Sequence, residues 1–418
     1  MTEPFPREGL ELEQARRQVL AAVQPLAGSS VLPLSAALGR VNAEPVLARE
    51  AVPGFRAAIM DGYGLPDADP PPPGSRWTLV GCAAAGSPYN GPLEAGQAIR
   101  IFTGAAVPDA VQRVIPQELV ESSRAAGTEA EPIRLHAAAS ANRWIRAADE
   151  EAGAGLDLLP AGIRLGPADL ARLAGCGVAS LPLHARPRVG LLITGDELVP
   201  LGARRQPGQI WESNSTLLMA LLQRLGHTVA EVKVLPDDPA ALRGALAELS
   251  AKADVVVSTG GVSAGDGDWI RPLLAELGEV QFWKLFLRPG RPFAFGRLAG
   301  RPFFGLPGNP VAAAITALQL LWPALEKLEG IASPAALPRL RVALAKRLER
   351  SSGRPELARA RLSTTAAGRP LALVEGSQAS SRIGSLQGAD LLLEIPADAT
   401  VLEAGQELWA QLLRLPVF

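Results

Sequence analysis

Between residues 188 and 328 short apolar runs alternate with segments of helical spacing, and few folds accommodate that alternation. Residues 189–194, 228–234, 255–258, 280–285 and 303–306 read as strands, the unbroken apolar run at 255–257 as one buried on both faces. Residues 216–225, 239–252, 269–277 and 310–328 carry helical spacing instead. Asp238 followed by Pro239 is a helix start: the aspartate accepts from the first free N–H groups, and proline has no N–H to waste there. Strands alternating with helices predict a doubly wound parallel sheet, and such sheets bind ligands outside the carboxyl ends of their strands.

Four segments fall at those ends, and glycine turns recur among them. Thr194-Gly195-Asp196-Glu197 follows the first strand and reads as a helix N-cap or a site. In the segment 208–214, Ser213 or Asn214 is expected to cap the next helix and the other to face a ligand. The run T-G-G-V-S-A-G-D-G-D (259–268) joins a strand to a helix; Gly260, Gly261 and Ser263 suit an anion, since helix N-terminal N–H groups point outward there. Its carboxylates, Asp266 and Asp268, do not suit an anion and suggest a metal ion or a ligand edge rich in N–H donors. The fourth segment, 282–292, sets Lys284, Arg288 and Arg291 among Phe, Trp and Pro, with the Lys284 stem buried and its ammonium aimed at a cleft. Pro307 and Gly308 form a further rigid turn into a helix. A doubly acidic, triply cationic strand edge calls for an oxyanion together with a divalent cation, and Mg²⁺ commonly bridges carboxylates to phosphate. A Walker A lysine motif and a G-x-G-x-x-G run are both missing, which removes the main support for ATPase and dinucleotide readings.

The flanks are different. With 418 residues, roughly two to four domains are expected. Helical spacing at 11–23 gives way to short strands and turns from 51 to about 144, then returns at 158–173, so a first domain is expected to be split around a mostly β insertion. Beyond the linker at 333–338, short strands at 340–344, 358–362, 373–374, 391–395 and 408–412 fit a small barrel or sandwich. The expected division is 1–50 with 146–187, 51–145, 188–332 and 333–418.

The seven stretches M-D-G-Y, T-G-A-x-V-P, T-G-D-E-L, P-G-Q-I-x-x-S-N, T-G-G-V-S-x-G-D-x-D, F-W-K-x-x-x-R-P-G-R-P and G-L-P-G-N-P run in order from residue 59 to 310. Together they resemble the molybdopterin molybdenumtransferase family, the MoeA and gephyrin E-domain group. The resemblance implies a molybdopterin-binding α/β domain, a split and elongated dimer-forming domain, a β insertion and a C-terminal β-barrel. It implies an enzyme that moves molybdenum from molybdate onto adenylylated molybdopterin with Mg²⁺ and releases AMP, working as a homodimer beside a molybdopterin adenylyltransferase and apo-molybdoenzymes. Carried over by position, Glu197, Asp237 and Asp266 would hold metal, and with Asp268, Lys284 and Arg288 would form the catalytic set. Asp61, Thr103, Thr194, Gly195, Asp196, Ser213, Asn214, Gly260, Gly261, Ser263, Arg291, Pro307, Gly308, Arg359 and Ser385 would bind the pterin nucleotide, Asp61 and Thr103 reaching in from the second subunit. An adenylyltransferase or a carrier of the finished cofactor are the alternatives; ATP consumption without molybdate marks the first, pterin binding without AMP release the second. Ala148 replaces a family glycine, and a non-glycine held at positive φ costs roughly 1 kcal/mol or more, which predicts a rearranged hinge.

Composition closes off other classes. The net charge of −1 and the scarcity of lysine, five of 41 basic residues, argue against nucleic acid and membrane surfaces. Cys82 and Cys176 read as separate thiols, and His136, His184 and His227 lack metal-ligand spacing, so zinc is not expected. The acidic N-terminus shows no signal-peptide pattern, and the apolar run 311–325 reads as too short and broken to span a bilayer, so a soluble cytoplasmic protein is expected.

Overall fold

The computed structural model describes residues 9–122, 131–262, 268–334, 336–351 and 353–413. Its central sheet has six strands in the order Thr228–Leu235, Arg188–Thr194, Val255–Thr259, Arg301–Leu306, Ala294–Leu298 and Gly278–Trp283. The first four run parallel, as the alternation predicts. Ala294–Leu298, absent from the sequence reading, lies antiparallel to both of its neighbours. The edge strand also ends two residues earlier than expected, because Lys284 takes φ 68° and breaks the extended run.

Along the central strands successive side chains enter opposite cores. Val255 and Val257 join Leu218, Leu222 and the Pro310–Leu328 helix on one face. Val256 joins Leu242, Leu246, Leu249 and Ile270 on the other. Chain order along the sheet reverses beside Arg188–Thr194, so the switch point lies between the carboxyl ends of that strand and Val255–Thr259.

The run 310–328 is one continuous 19-residue helix, long and apolar enough to cross a bilayer, and 89% of its most apolar window is buried inside the protein. Burial, rather than length, therefore identifies it as a core helix. Pro323 does not end it; Ala317–Leu321 opens instead into a π turn, with the Trp322 N–H reaching back to the Ala317 carbonyl. Proline leaves the carbonyl four residues earlier without its helical donor. That carbonyl belongs to Gln319, and Arg16 Nε donates to it at 3.2 Å. The Gln319 side chain also accepts from Arg16 (2.7 Å) and donates to Gln411 of the barrel (2.7 Å).

The first helix, Leu12–Ala22, consequently packs into the α/β core: Leu10, Ala15, Val19 and Val23 are buried with Val189, Phe282 and Leu325. A separate core formed by Ala37, Val46, Leu158, Leu165, Leu173 and Leu183 holds the split domain. The helical spacing read at 158–173 resolves into the strand Asp157–Leu159, a turn, and the helix Pro167–Gly175. Gly162 and Gly166 interrupt it, and the Asp169 carboxylate closes the helix start by accepting the Gly166 N–H at 2.8 Å. The insertion carries a six-stranded sheet in the order Arg113–Pro116, Gly62–Leu65, Gln97–Ile101, Arg76–Ala83, Glu131–Leu135 and Val120–Ser122. Arg339–Leu344, Pro370–Leu373, Glu356–Thr364, Leu391–Ile395 and Glu407–Leu412 close the C-terminal barrel. Cys82 and Cys176 are free thiols. Ala148 is not among the residues at positive φ; Trp144 (φ 54°) is, so the expected strain falls four residues earlier. Arg146 there pairs with Glu150 at 3.1 Å and Glu151 at 3.5 Å.

A buried ionic joint fixes the split domain to the α/β domain. Glu329 follows the last core helix and is fully buried. It accepts from Arg164 at 2.8 Å, with Arg186 at 3.6 Å and His227 at 3.9 Å. Burial, reinforced by Arg164 and Arg186, pushes His227 down to about 3 from 6.5. The folded protein thus holds His227 neutral while the unfolded chain protonates it below about pH 6.5. Between those two values the unfolded state binds the extra proton, so stability rises with pH and is lost on acidification, by up to about 1.4 kcal/mol per pH unit. His227→Met is expected to flatten this part of the pH dependence in urea unfolding between pH 6.5 and 4. Parallel wild-type and variant curves would contradict it.

Candidate functional site

The switch point is built from three backbone turns in mutual contact. Gly260 takes φ 88°, and a Cβ there would stand 2.1 Å from the Thr194 carbonyl oxygen. Gly261 takes φ 62°, and a Cβ there would meet Ile270 at 2.8 Å. A Cβ on Gly308 would lie 3.5 Å from Gly260 Cα. Glycine is required at 260 both for its left-handed backbone and for the close approach.

Asn214 ties these turns together. It is buried, and its Nδ2 donates to Thr259 Oγ1 at 3.2 Å and to the Gly308 carbonyl at 2.8 Å. Its Oδ1 is buried with no hydrogen-bond partner among the described residues. Neither Ser213 nor Asn214 caps the helix Asn214–Arg224 with its side chain. Glu212 does so, its carboxylate accepting the Ser215 N–H at 2.8 Å and the Ser215 hydroxyl. The capping reading of 213–214 is corrected accordingly: a glutamate one residue earlier reaches the same N–H groups, which leaves Asn214 as a fastener.

The acidic turn after the first strand starts no helix; Leu198–Val199 follows as a short strand. Thr194 is buried and donates to Asp237 Oδ1 at 2.5 Å, and Asp196 Oδ1 accepts the Asp237 N–H at 2.9 Å. Glu197 is exposed, with its carboxylate folded over Gly195, where a Cβ would come within 2.7 Å of Oε2. Glu197, Asp237, Asp196 and Thr194 therefore share one rim. Asp268 is half-buried two residues before the helix Ile270–Leu277. Ser263 and Asp266 lie outside the described residues.

The cations follow the edge strand Gly278–Trp283 and face the barrel. Lys284 is half-buried between Trp283 and Leu285, both buried, and its backbone is held by the Phe293 carbonyl (2.9 Å) and the Leu10 N–H (3.1 Å). Arg288, Arg291 and Pro289 line a cavity of about 400 Å³ together with Arg354, Ser380 and Ser381 of the barrel. Val311, one residue into the helix after Pro307-Gly308-Asn309, donates its N–H to the Ser380 carbonyl at 3.1 Å. Across the same loop Arg359 is buried, donates from Nε to Ser385 Oγ at 3.1 Å and lines a cavity of about 340 Å³. Its Nη1 has no hydrogen-bond partner among the described residues. Burial pulls the Arg359 guanidinium below its ordinary value, partly offset by Glu356. Arg354 is likewise lowered, by burial and then by Arg291 and Arg288. Sequence reading missed Arg350, Arg354 and Glu356; the one signal available was a charged run, R-P-E, directly before an apolar barrel strand.

Asp61 and Thr103 bond to each other rather than to this cleft. Asp61 Oδ1 accepts the Thr103 N–H (2.8 Å) and hydroxyl (2.7 Å), and the backbone donor foremost holds its carboxyl below the usual range. Arg100 lies over Tyr63 (5.0 Å) and Phe102 (4.9 Å) beside them.

A doubly wound sheet with glycine turns and a carboxylate rim at its switch point, and an arginine-lined cavity where it meets the barrel, defines a small-molecule-binding α/β protein fitted to an anionic ligand. Residues 10–177 match the MoeA N-terminal region (domain I and II), 190–327 a probable molybdopterin binding domain, and 341–413 the MoeA C-terminal region (domain IV). A molybdopterin molybdenumtransferase of Haemophilus influenzae is 36% identical over 77% of this chain and 78% of its own. Molybdopterin molybdenumtransferase 2 of Mycobacterium tuberculosis is 31% identical over 94% and 98%. The crystal structure of a molybdopterin biosynthesis MoeA protein from Pyrococcus horikoshii OT3 superposes with a TM-score of 0.79 at 25% identity, covering 97% of this chain and 100% of that one. The chain belongs to the MoeA family of molybdopterin molybdenumtransferases.

Proposed function

We propose that this protein transfers molybdenum from molybdate to adenylylated molybdopterin and releases AMP. The observation that carries the reading is the pairing of a glycine-lined rim holding carboxylates with an arginine wall closed by the barrel. Backbone N–H groups at Gly260, Gly261 and Gly308 suit the phosphates. Lys284, Arg288, Arg291 and Arg359, with Ser385, suit the doubly charged molybdate. A carboxylate on the rim suits the amino group and ring N–H of the pterin, which it can accept as a pair.

The rim also fits Mg²⁺, which needs only one or two protein carboxylates when a phosphate completes its shell. Among the described residues no three His, Cys, Asp or Glu converge as a closed metal cage, so Glu197 and Asp237 would hold the ion together with the substrate, and Asp266 completes the proposed set. When bound, the ion supplies Lewis acidity to the phosphoanhydride. Thr194 and Asp196 keep the Asp237 carboxylate and backbone in place on the rim.

Asp61 and Thr103 enter the site if the protein works as a homodimer, the insertion of one subunit covering the cleft of the other. The substrate would come from a molybdopterin adenylyltransferase and the product pass to apo-molybdoenzymes, all in the cytoplasm. Incubation with adenylylated molybdopterin is expected to release AMP only when molybdate is added. AMP release that ignores molybdate, or none at any molybdate concentration, would refute the proposal.

A further inference from the structure

Five arginines converge where the barrel meets the α/β domain, and one buried carboxylate stands among them. Arg288 and Arg291 come from the strand-end segment, and Arg350, Arg354 and Arg359 from the barrel. Glu356 is 3% exposed. One of its oxygens lies 3.7 Å from Arg288 Nε and the other 3.1 Å from Arg350 Nε. The backbone repeats the connection: the Arg288 N–H donates to the Pro355 carbonyl at 2.9 Å, and the Leu357 N–H donates to the Arg288 carbonyl at 2.9 Å. Arg350 is itself held by donating to the carbonyls of Pro396 (2.7 Å) and Arg354 (2.6 Å).

Glu356 lines a neighbouring cavity of about 220 Å³ that shares Arg288 with the cavity of about 400 Å³, and an acid so near an anion site is the wrong charge, since it repels the ligand through a poorly screened interior. Its value there must come from what it does to the arginines. Left alone, Arg288 sits on a partly exposed stem with several rotatable bonds and is repelled by the cations around it. Glu356 gives its Nε edge a fixed partner anchored to the barrel, and Arg350 fixes Glu356 in turn.

We infer that Glu356 is a positioning residue for oxyanion binding, holding the Arg288 guanidinium on the wall of the cavity shared by the α/β domain and the barrel. The inference rests on the molybdenum-transfer reading, but inorganic molybdate binding tests it separately. Two substitutions separate position from charge. Glu356→Gln keeps the shape and removes the charge, while Glu356→Asp keeps the charge and withdraws the carboxylate by one methylene. A positioning role predicts that both weaken binding of molybdate alone, read by calorimetry, by about ten-fold. In turnover both raise KM for molybdate by a similar factor, with kcat at saturating molybdate within about two-fold of wild type. A residue acting only through its charge gives the opposite sign: Glu356→Gln binds molybdate more tightly and Glu356→Asp matches wild type. Either of those results, or a fall in kcat at unchanged KM, overturns the inference. If Glu356→Gln fails to fold by circular dichroism, Glu356→Asp decides alone. Should wild-type protein bind molybdate but release no AMP, the functional reading fails while the binding series still decides Glu356.

Discussion

Lys284→Ala is expected to lower molybdate-dependent AMP release by about 10²–10³-fold, the loss typical of removing one preorganised donor from a developing anion. Protein stability is not expected to fall with it, for a reason visible in the backbone. Lys284 is one of the described non-glycine residues at positive φ, a conformation costing roughly 1 kcal/mol or more for an L side chain. Lys284→Gly should therefore unfold at a higher denaturant concentration than wild type while being as inactive as the alanine variant. Strain retained at a strand end among buried Trp283, Leu285 and Phe293 is what a functional side chain produces, and a merely structural lysine has no reason to keep it. Wild-type turnover in either variant would remove Lys284 from the site; a lower denaturation midpoint for Lys284→Gly would contradict the account of its backbone.

Gly260→Ala is expected to be the more damaging change. Two penalties combine, a left-handed φ of 88° and a methyl group 2.1 Å from the Thr194 carbonyl oxygen. The carbonyl cannot retreat easily, because Thr194 is paired across the sheet with Leu235 and its hydroxyl is bonded to Asp237. A loss of about 3 kcal/mol or more is expected in urea unfolding, together with loss of AMP release. Gly308→Ala is the matched control for the same cleft: its nearest atom lies at 3.5 Å and its φ is not left-handed, so it should cost well under 1 kcal/mol. Equal destabilisation by the two substitutions would show that the close approach at 260 is not what requires glycine.

Legibility in the sequence followed the range of the interactions involved. The parallel strands and the Asp238-capped helix were readable because buried runs and an N-cap are written in neighbouring residues; Asp238 does accept the Ala241 N–H at 2.7 Å. Ala294–Leu298 was not, since Gly296 and Arg297 dilute its apolar pattern and its pairing with Gly278–Trp283 is decided by close backbone contact. The helix over 310–328 was readable, but its apolar run was misjudged as broken at Pro323, because the partner that rescues the Gln319 carbonyl, Arg16, is 303 residues away. In the site, the glycine turns and the Lys284 to Arg291 cations announced themselves as local motifs. Glu356 did not, because nothing near it in the chain shows that it meets Arg288, and a glutamate at the start of a strand ordinarily faces solvent.

The packing of Leu12–Ala22 has a practical consequence for anyone dividing this protein. The stretch matched as a molybdopterin binding domain, 190–327, omits the helix whose Ala15, Val19 and Val23 complete one side of its core. An excised fragment with those limits would present an oily flank to water and leave the Gln319 carbonyl without its Arg16 donor. The buried core around the sheet joins Leu10 to Val23 with residues from 189 onward and with Leu337, Leu357 and Leu392, so it is discontinuous in the gene even though the sheet itself is not.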